Sequence, residues 1–158
     1  MWCKAKYFKD EYTAEKILEE KDDPLKCKQL GRSVKNYNDD AWDKVRYQYM
    51  LECNWQKYSQ NKDLETELTD HKYDNKTFVE ASPTDGVWGI KMGLDDEGID
   101  DESNWNGNNL LGKVITEVRG RLIRNKMAHE IHYEDSLIDC KSISQGIRKD
   151  IKNSVTFF

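Results

Sequence analysis

Thr77-Phe78-Val79-Glu80-Ala81-Ser82-Pro83-Thr84-Asp85-Gly86-Val87-Trp88-Gly89 holds the one segment of this chain whose residues favour a strand. Thr77, Phe78 and Val79 are β-branched or aromatic in succession and run into a Ser82-Pro83 turn, a pattern that predicts a short strand. Every other periodic stretch reads as helix. The expected class is therefore α+β, predominantly α-helical with a small β element. The second half of the same stretch carries chemistry. A carboxylate on a loop beside a Trp, with glycines permitting close backbone approach, suits a site that holds a flat ring and acts on a bond next to it. The same residues also make a tight turn in which Asp85 caps the backbone and Trp88 is core, and on residue types alone that reading is the commoner one.

Downstream, Leu110, Leu111, Val114, Ile115, Val118 and Leu122 recur at helical spacing and predict a helix over 109–124. Upstream, Trp42, Val45, Tyr49, Met50 and Cys53 fit one side of a long helix within 40–60, entered through the N-cap cluster Asn38-Asp39-Asp40. Trp42 is either an aromatic wall of a site or a core anchor. Leu64 and Leu68 predict a shorter helix before the polar turn 71–75. Asp23-Pro24 opens a helix over 24–30, with Gly31 as its C-terminal cap. Trp2, Ala5 and Phe8, then Tyr12, Ile17 and Leu18, predict two helical stretches at the start.

The 158 residues carry a formal charge of -5, with 37% hydrophobic and 35% charged residues, which argues for one soluble domain with a modest core. Five Trp, eight Tyr and four Phe are expected to carry that core. No apolar run reaches a membrane span, and the opening residues alternate Lys with aromatics, so a cytoplasmic protein is expected. Cys3, Cys27, Cys53 and Cys140 lack a C-x-x-C pair and predict reduced, mostly buried thiols. Residues 1–112 hold 16 basic and 24 acidic side chains, whereas 113–158 hold 9 and 6, so only the C-terminal third has a field that attracts phosphate. The acidic run Gly93 to Gly98 fails as a calcium loop, because its first ligand position is Gly93 and its twelfth is Asn104. His129 and His132 are one residue too close for the zinc-protease spacing, so no metal site is expected.

Six stretches occur in a specific order: Lys4-Ala5 with Phe8; Leu30-Gly31-Arg32-Ser33-Val34-Lys35-Asn36-Tyr37; Trp42 with Arg46-Tyr47; Lys57-Tyr58-Ser59-Gln60-Asn61; Val79 to Asp85 with Trp88-Gly89-Ile90; and Asn104 to Gly112 with Glu117-Val118-Arg119. Together they resemble the NADAR family (NAD- and ADP-ribose-associated proteins), which includes bacterial N-glycosidases of riboflavin-precursor chemistry. The resemblance runs from Met1 to about Ile123, so a NADAR-like domain is expected over 1–124 and a C-terminal extension over 125–158.

The resemblance implies an α+β, mostly helical fold that hydrolyses an N-glycosidic bond in a ribosyl or ADP-ribosyl compound. It implies Asp85 as catalytic carboxylate, and Trp42, Trp88, Gly89, Lys35 and Asn109 as substrate-binding residues. No metal or cofactor is implied. The first substrate class is a phosphoribosylamino-pyrimidine of riboflavin synthesis. A second reading is removal of ADP-ribose from guanine in DNA, as an antitoxin or counter-defence protein; a third is a non-catalytic ADP-ribose-binding remnant. Family members also have a Glu and an opening strand ahead of the Lys4-Ala5 piece, which places both before Met1 and implies a domain incomplete at its start. On that register the chain by itself is expected to be a weak or inactive hydrolase, and Thr77 to Val79 an unpaired edge. Ser154 to Phe158 resembles the beginning of that opening strand.

Overall fold

The computed structural model describes residues 1–131. His132, Cys140 and 154–158, for which the sequence raised expectations, lie outside them. The order is α1 (Trp2–Tyr7), α2 (Glu11–Glu19), α3 (Pro24–Arg32), α4 (Asp39–Ser59) and α5 (Lys62–Leu68), followed by 3-10 turns at His71–Tyr73 and Glu102–Asn104. A further helix, α6, covers 110–131 of the described residues. None of the helices among the described residues is long and apolar enough to cross a membrane.

The helix entries follow local chemistry. The Asp23 carboxylate accepts from the Lys26 N–H at 3.0 Å with Pro24 at the first helical position, and Asn38 Oδ1 accepts from the Ala41 N–H at 2.8 Å. Asp10, 5% exposed, caps α2 through the Thr13 N–H and also accepts from the Lys35 N–H at 2.8 Å, which ties the α3–α4 connection to α2.

The described residues contain no β-strand, so the α+β class is corrected to an all-helical fold. The reason lies in Asn109. Its amide donates to the Phe78 carbonyl at 2.9 Å and its oxygen accepts from the Glu80 N–H at 3.1 Å, which is the pairing a neighbouring strand would supply. One side chain thus pairs two main-chain groups of the extended segment, and the Glu80 carbonyl turns back to accept from the N–H groups of Ser82 and Ile90. Of the edge expected at 77–79, Asn109 covers the Phe78 carbonyl.

Two clusters make the core. Ala5, Ala14, Ile17 and Val34 join α1, α2 and the end of α3, with Phe8, Cys27 and Leu30 around them. Leu51, Leu68, Val114, Val118 and Leu122 join α4, α5 and α6. The fully buried side chains are aliphatic, and no aromatic among the described residues is buried, so the expectation that aromatics carry the core is corrected. Tyr47, Trp55, Tyr58 and Phe78 rim the second cluster instead. Helix α2 also differs from its expected face. Ile17 is buried with Thr13 and Ala14, whereas Tyr12 and Leu18 are exposed.

Gly31 does not terminate α3, which continues to Arg32. Gly31 is buried because the Met1 side chain lies against it, where any Cβ would collide. Of the three described cysteines none is buried: Cys3 and Cys27 are intermediate and Cys53 is exposed. That corrects the expectation of mostly buried thiols.

Candidate functional site

Between α5 and α6, residues 74–109 form no regular element beyond the 3-10 turn at Glu102–Asn104. Long irregular segments inside a folded domain commonly carry function, and this one is closely held. Ile90 is fully buried, its N–H donates to the Glu80 carbonyl at 3.0 Å, and its carbonyl accepts from Asn106 at 3.0 Å. The first N–H groups of a helix have no partner within the helix. At the start of α6, Asn109, Leu110 and Leu111 donate theirs to the carbonyls of Gly89 (3.1 Å), Val87 (3.2 Å) and Trp88 (3.1 Å). The most strongly periodic helix in the sequence therefore grips the Asp85–Trp88 loop by its backbone.

Within that loop Asp85 Oδ1 accepts from the Val87 N–H at 2.9 Å and the Trp88 N–H at 2.8 Å, and the Asp85 N–H donates to Ser82 Oγ at 3.3 Å. The turn reading and the site reading of Asp85 coexist. One carboxylate oxygen is fixed by the backbone, and among the described residues the other accepts no hydrogen bond. Gly89 is buried and lets two strands of backbone meet: a Cβ there would stand 2.8 Å from the Glu80 carbonyl oxygen and 2.9 Å from that of Asp85.

Trp42, Asp85 and Trp88 line one cavity of about 460 Å³, together with Lys4 of α1, Tyr37, and Arg46, Tyr49 and Met50 of α4. Trp42, Arg46, Tyr49, Met50 and Cys53 share one face of α4. The opposite spacing, Tyr47, Leu51, Trp55 and Tyr58, packs into the core. The apolar side visible in the sequence is thus in the main the cavity wall, and the core side was hidden by aromatics that occur all round the helix. Trp42 stacks on Tyr49 with ring centroids 5.5 Å apart and planes at 17°, and Tyr7 of α1 and Phe8 just after it close in at 5.9 and 6.2 Å.

The polar wall is an ion cluster. Arg46, 8% exposed, pairs with Asp39 at 3.2 Å and with Asp43, while its Nε is buried without a partner. Hydrogen bonds from Tyr37 and then Arg46 hold the Asp39 carboxyl below its ordinary value, and the same Asp39 contact raises the Tyr37 phenol. Lys4 Nζ donates to the Gly31 carbonyl at 2.9 Å and stands 3.9 Å from the Tyr37 ring centroid. Burial lowers its pKa against the opposing pull of Asp39.

Of the other residues assigned by resemblance, Lys35 is exposed and does not line this cavity, though its N–H holds Asp10. Gly89 and Asn109 lie behind the loop rather than on the cavity wall. Lys4, Tyr37 and Arg46 stood in the family-like stretches without an assigned role; their signal was position, Arg46 one helical turn after Trp42. Among the described residues no group of three or more His, Cys, Asp or Glu side chains is arranged to hold a metal ion.

A cavity walled by aromatic side chains, with a backbone-fixed carboxylate in its lining, distinguishes this helical domain. Comparison with known proteins specifies it further: residues 1–123 match the model of the NADAR domain, and the chain belongs to that family. It is 42% identical over 116 residues to "N-glycosidase R617" of Acanthamoeba polyphaga mimivirus, a match covering 73% of this chain and 66% of that protein. It is 37% identical over 124 residues to "Protein irg-1" of Caenorhabditis elegans, covering 77% of this chain and 57% of that protein. The matched stretch thus spans less than two thirds of the length of either relative.

Proposed function

We infer that this protein hydrolyses the N-glycosidic bond of a ribosyl or ADP-ribosyl compound, with a phosphoribosylamino-pyrimidine of riboflavin synthesis as its first substrate class. The observation that carries the reading is the convergence of Trp42, Asp85 and Trp88, from two distant parts of the chain, on one cavity. Membership in the NADAR family and the N-glycosidase name of the mimivirus relative support it.

The chemistry follows from the groups present. Cleavage develops positive charge on the ribose ring as the base departs, and a fixed carboxylate stabilises that charge more than it stabilises the neutral ground state. Asp85 suits the task because two backbone N–H groups hold Oδ1, which leaves Oδ2 to face the ribose and orient the attacking water. Water adds at the anomeric carbon and the base leaves with a proton. Trp42 and Trp88 hold the base by its face. Lys4 supplies a cation on the same wall for the phosphate these substrates carry. Gly89 and Asn109 act by positioning the loop.

Removal of ADP-ribose from guanine in DNA uses the same site with a different partner. The basic C-terminal third favours it, but Arg119 pairs with Asp74, Arg121 with Glu117 at 2.8 Å, and Lys126 with Thr69, so these cations of α6 are engaged within the protein. The test is turnover of a phosphoribosylamino-pyrimidine and of ADP-ribosylated guanosine, by the full chain and by Asp85→Asn. The expected loss in the variant is roughly 100-fold or more. Asp85→Asn at full rate refutes the assignment, and ADP-ribose binding without turnover of either compound selects a non-catalytic binding role.

A further inference from the structure

The cavity that holds Trp42 and Asp85 also carries two thiols. Cys3 of α1 and Cys53 of α4 both line it, and their Sγ atoms are 4.0 Å apart across 50 residues of sequence. Both are free. A disulfide has an S–S distance of about 2.05 Å, so the sulfurs must approach by about 2 Å, a distance within reach of side-chain rotation and a small shift of α1. Helix α1 meets α4 here through ring contacts of Tyr7 with Trp42 and Tyr49. Cys27 is the contrast: its Sγ lies 3.2 Å from the Glu20 carbonyl oxygen, with no thiol beside it among the described residues. Hydrolysis uses neither Cys3 nor Cys53.

We propose that Cys3 and Cys53 are an oxidisable pair whose disulfide ties α1 to α4 and narrows the cavity, a regulation of the site inferred above. The proposal rests on that inference only for its ligand readout. The oxidant is a small-molecule disulfide such as oxidised glutathione. The Cys3 thiolate attacks one glutathione sulfur and expels the first glutathione thiolate. The Cys53 thiolate then attacks Cys3 Sγ in the mixed disulfide and expels the second. Two protein thiols lose two electrons and two protons, and one glutathione disulfide becomes two thiols. Desolvation, and then the neighbouring Cys3 sulfur, push the Cys53 pKa up, which lowers the fraction of Cys53 present as thiolate in the reduced protein. Bond formation draws the α1 wall, with Lys4, toward the α4 wall, with Trp42, Arg46 and Tyr49.

The test starts from the reduced full chain, treated with oxidised glutathione, alkylated, digested and mapped by mass spectrometry. The expected product is a peptide pair linked through Cys3 and Cys53, lighter by two hydrogens than the free pair, and absent from Cys53→Ser. Both thiols recovered alkylated, or each carrying its own glutathione, overturns the pairing. ADP-ribose affinity, measured by calorimetry, is expected to fall at least about fivefold on oxidation of the wild type, with no oxidation-dependent change in the Cys3→Ser/Cys53→Ser double variant, which cannot form a glutathione adduct in the cavity. Equal affinity of the reduced and linked proteins overturns the regulation. Should the reduced protein bind no ADP-ribose, the ADP-ribosyl part of the functional reading fails by itself, and narrowing is read from acrylamide quenching of Trp42, obtained by difference from Trp42→Phe. Quenching is expected to be weaker after linkage, and equal quenching overturns the proposal.

Discussion

Replacing Asn109 with Ala tests how the loop that carries Asp85 and Trp88 is held. The Asn109 amide satisfies the Phe78 carbonyl at 2.9 Å and the Glu80 N–H at 3.1 Å, and the residue is 5% exposed with φ at +48°. Alanine leaves both partly buried main-chain groups unpaired, at about 1–2 kcal/mol each, the lower part of the range for unsatisfied groups. A left-handed backbone adds about 1 kcal/mol for Ala, where Asn tolerates it. The expected destabilisation is thus about 3–5 kcal/mol, a large share of the 5–15 kcal/mol typical of a whole domain. Urea denaturation of wild type, Asn109→Ala, Asn109→Gly and Asn109→Asp separates the contributions. Glycine relieves the φ strain, so its difference from alanine reads that strain alone. Aspartate keeps the acceptor for Glu80 but replaces the donor to Phe78, so it should fall between wild type and Ala. Amide exchange at Glu80 should accelerate in Ala and Gly. A loss under about 1 kcal/mol for Asn109→Ala would show that the segment does not depend on this side chain in place of a strand.

Three further outcomes are expected. Trp42→Leu and Trp88→Leu should each weaken ADP-ribose binding by about 1–3 kcal/mol, the usual worth of base stacking. The Tm should fall more for Trp42, which stacks on Tyr49, and unchanged affinity would return both residues to packing roles. Gly89→Ala forces a Cβ against the Glu80 and Asp85 carbonyls, so a loss of about 1–3 kcal/mol and of turnover is expected, read by thermal melting and rate. Asp10 has its pKa lowered, first by the Lys35 N–H and then by Thr13. Its contribution is fully present above the ordinary carboxylate pKa and is lost as pH falls through the depressed folded value. Asp10→Asn should therefore flatten the acid limb of stability against pH, and an unchanged limb would refute the linkage.

Helix placement was legible because its signals are local. Asp23-Pro24, Asn38 and the spacing of Leu110 to Leu122 act within a few residues, and each marks an element of the structure. Pairing was not legible, because whether Thr77 to Val79 becomes a strand depends on what lies beside it. Here a side chain from the far end of the loop takes the neighbour's place. Face was half legible: α4 has apolar or aromatic residues around its circumference, so periodicity could not say that Leu51 points to the core and Trp42 to the cavity. Site residues came from the order of the family-like stretches. No spacing rule connects Trp42 with Asp85 and Trp88, since only the fold brings them to one cavity.

The start of α6 also bears on how the site is charged. A helix N-terminus is a ready anion site when its first N–H groups are free. In α6 the N–H groups of Asn109, Leu110 and Leu111 are committed to the carbonyls of Gly89, Val87 and Trp88. Binding a phosphate there would break those bonds and release the loop that holds Asp85. The helix dipole therefore serves geometry rather than ligand charge. Arg46 is in turn matched by Asp39 and Asp43, so of the two cations on the cavity wall Lys4 has only a backbone carbonyl as its hydrogen-bond partner. Asp85 faces that wall across the cavity lining as a carboxylate whose one bonded oxygen is held by amides. On the proposed function, that division offers positive charge for a phosphate on α1 and negative charge for a developing ribosyl cation on the loop, each mounted on a different core cluster. A shift of α1 against α4 then alters the spacing between them without unfolding either.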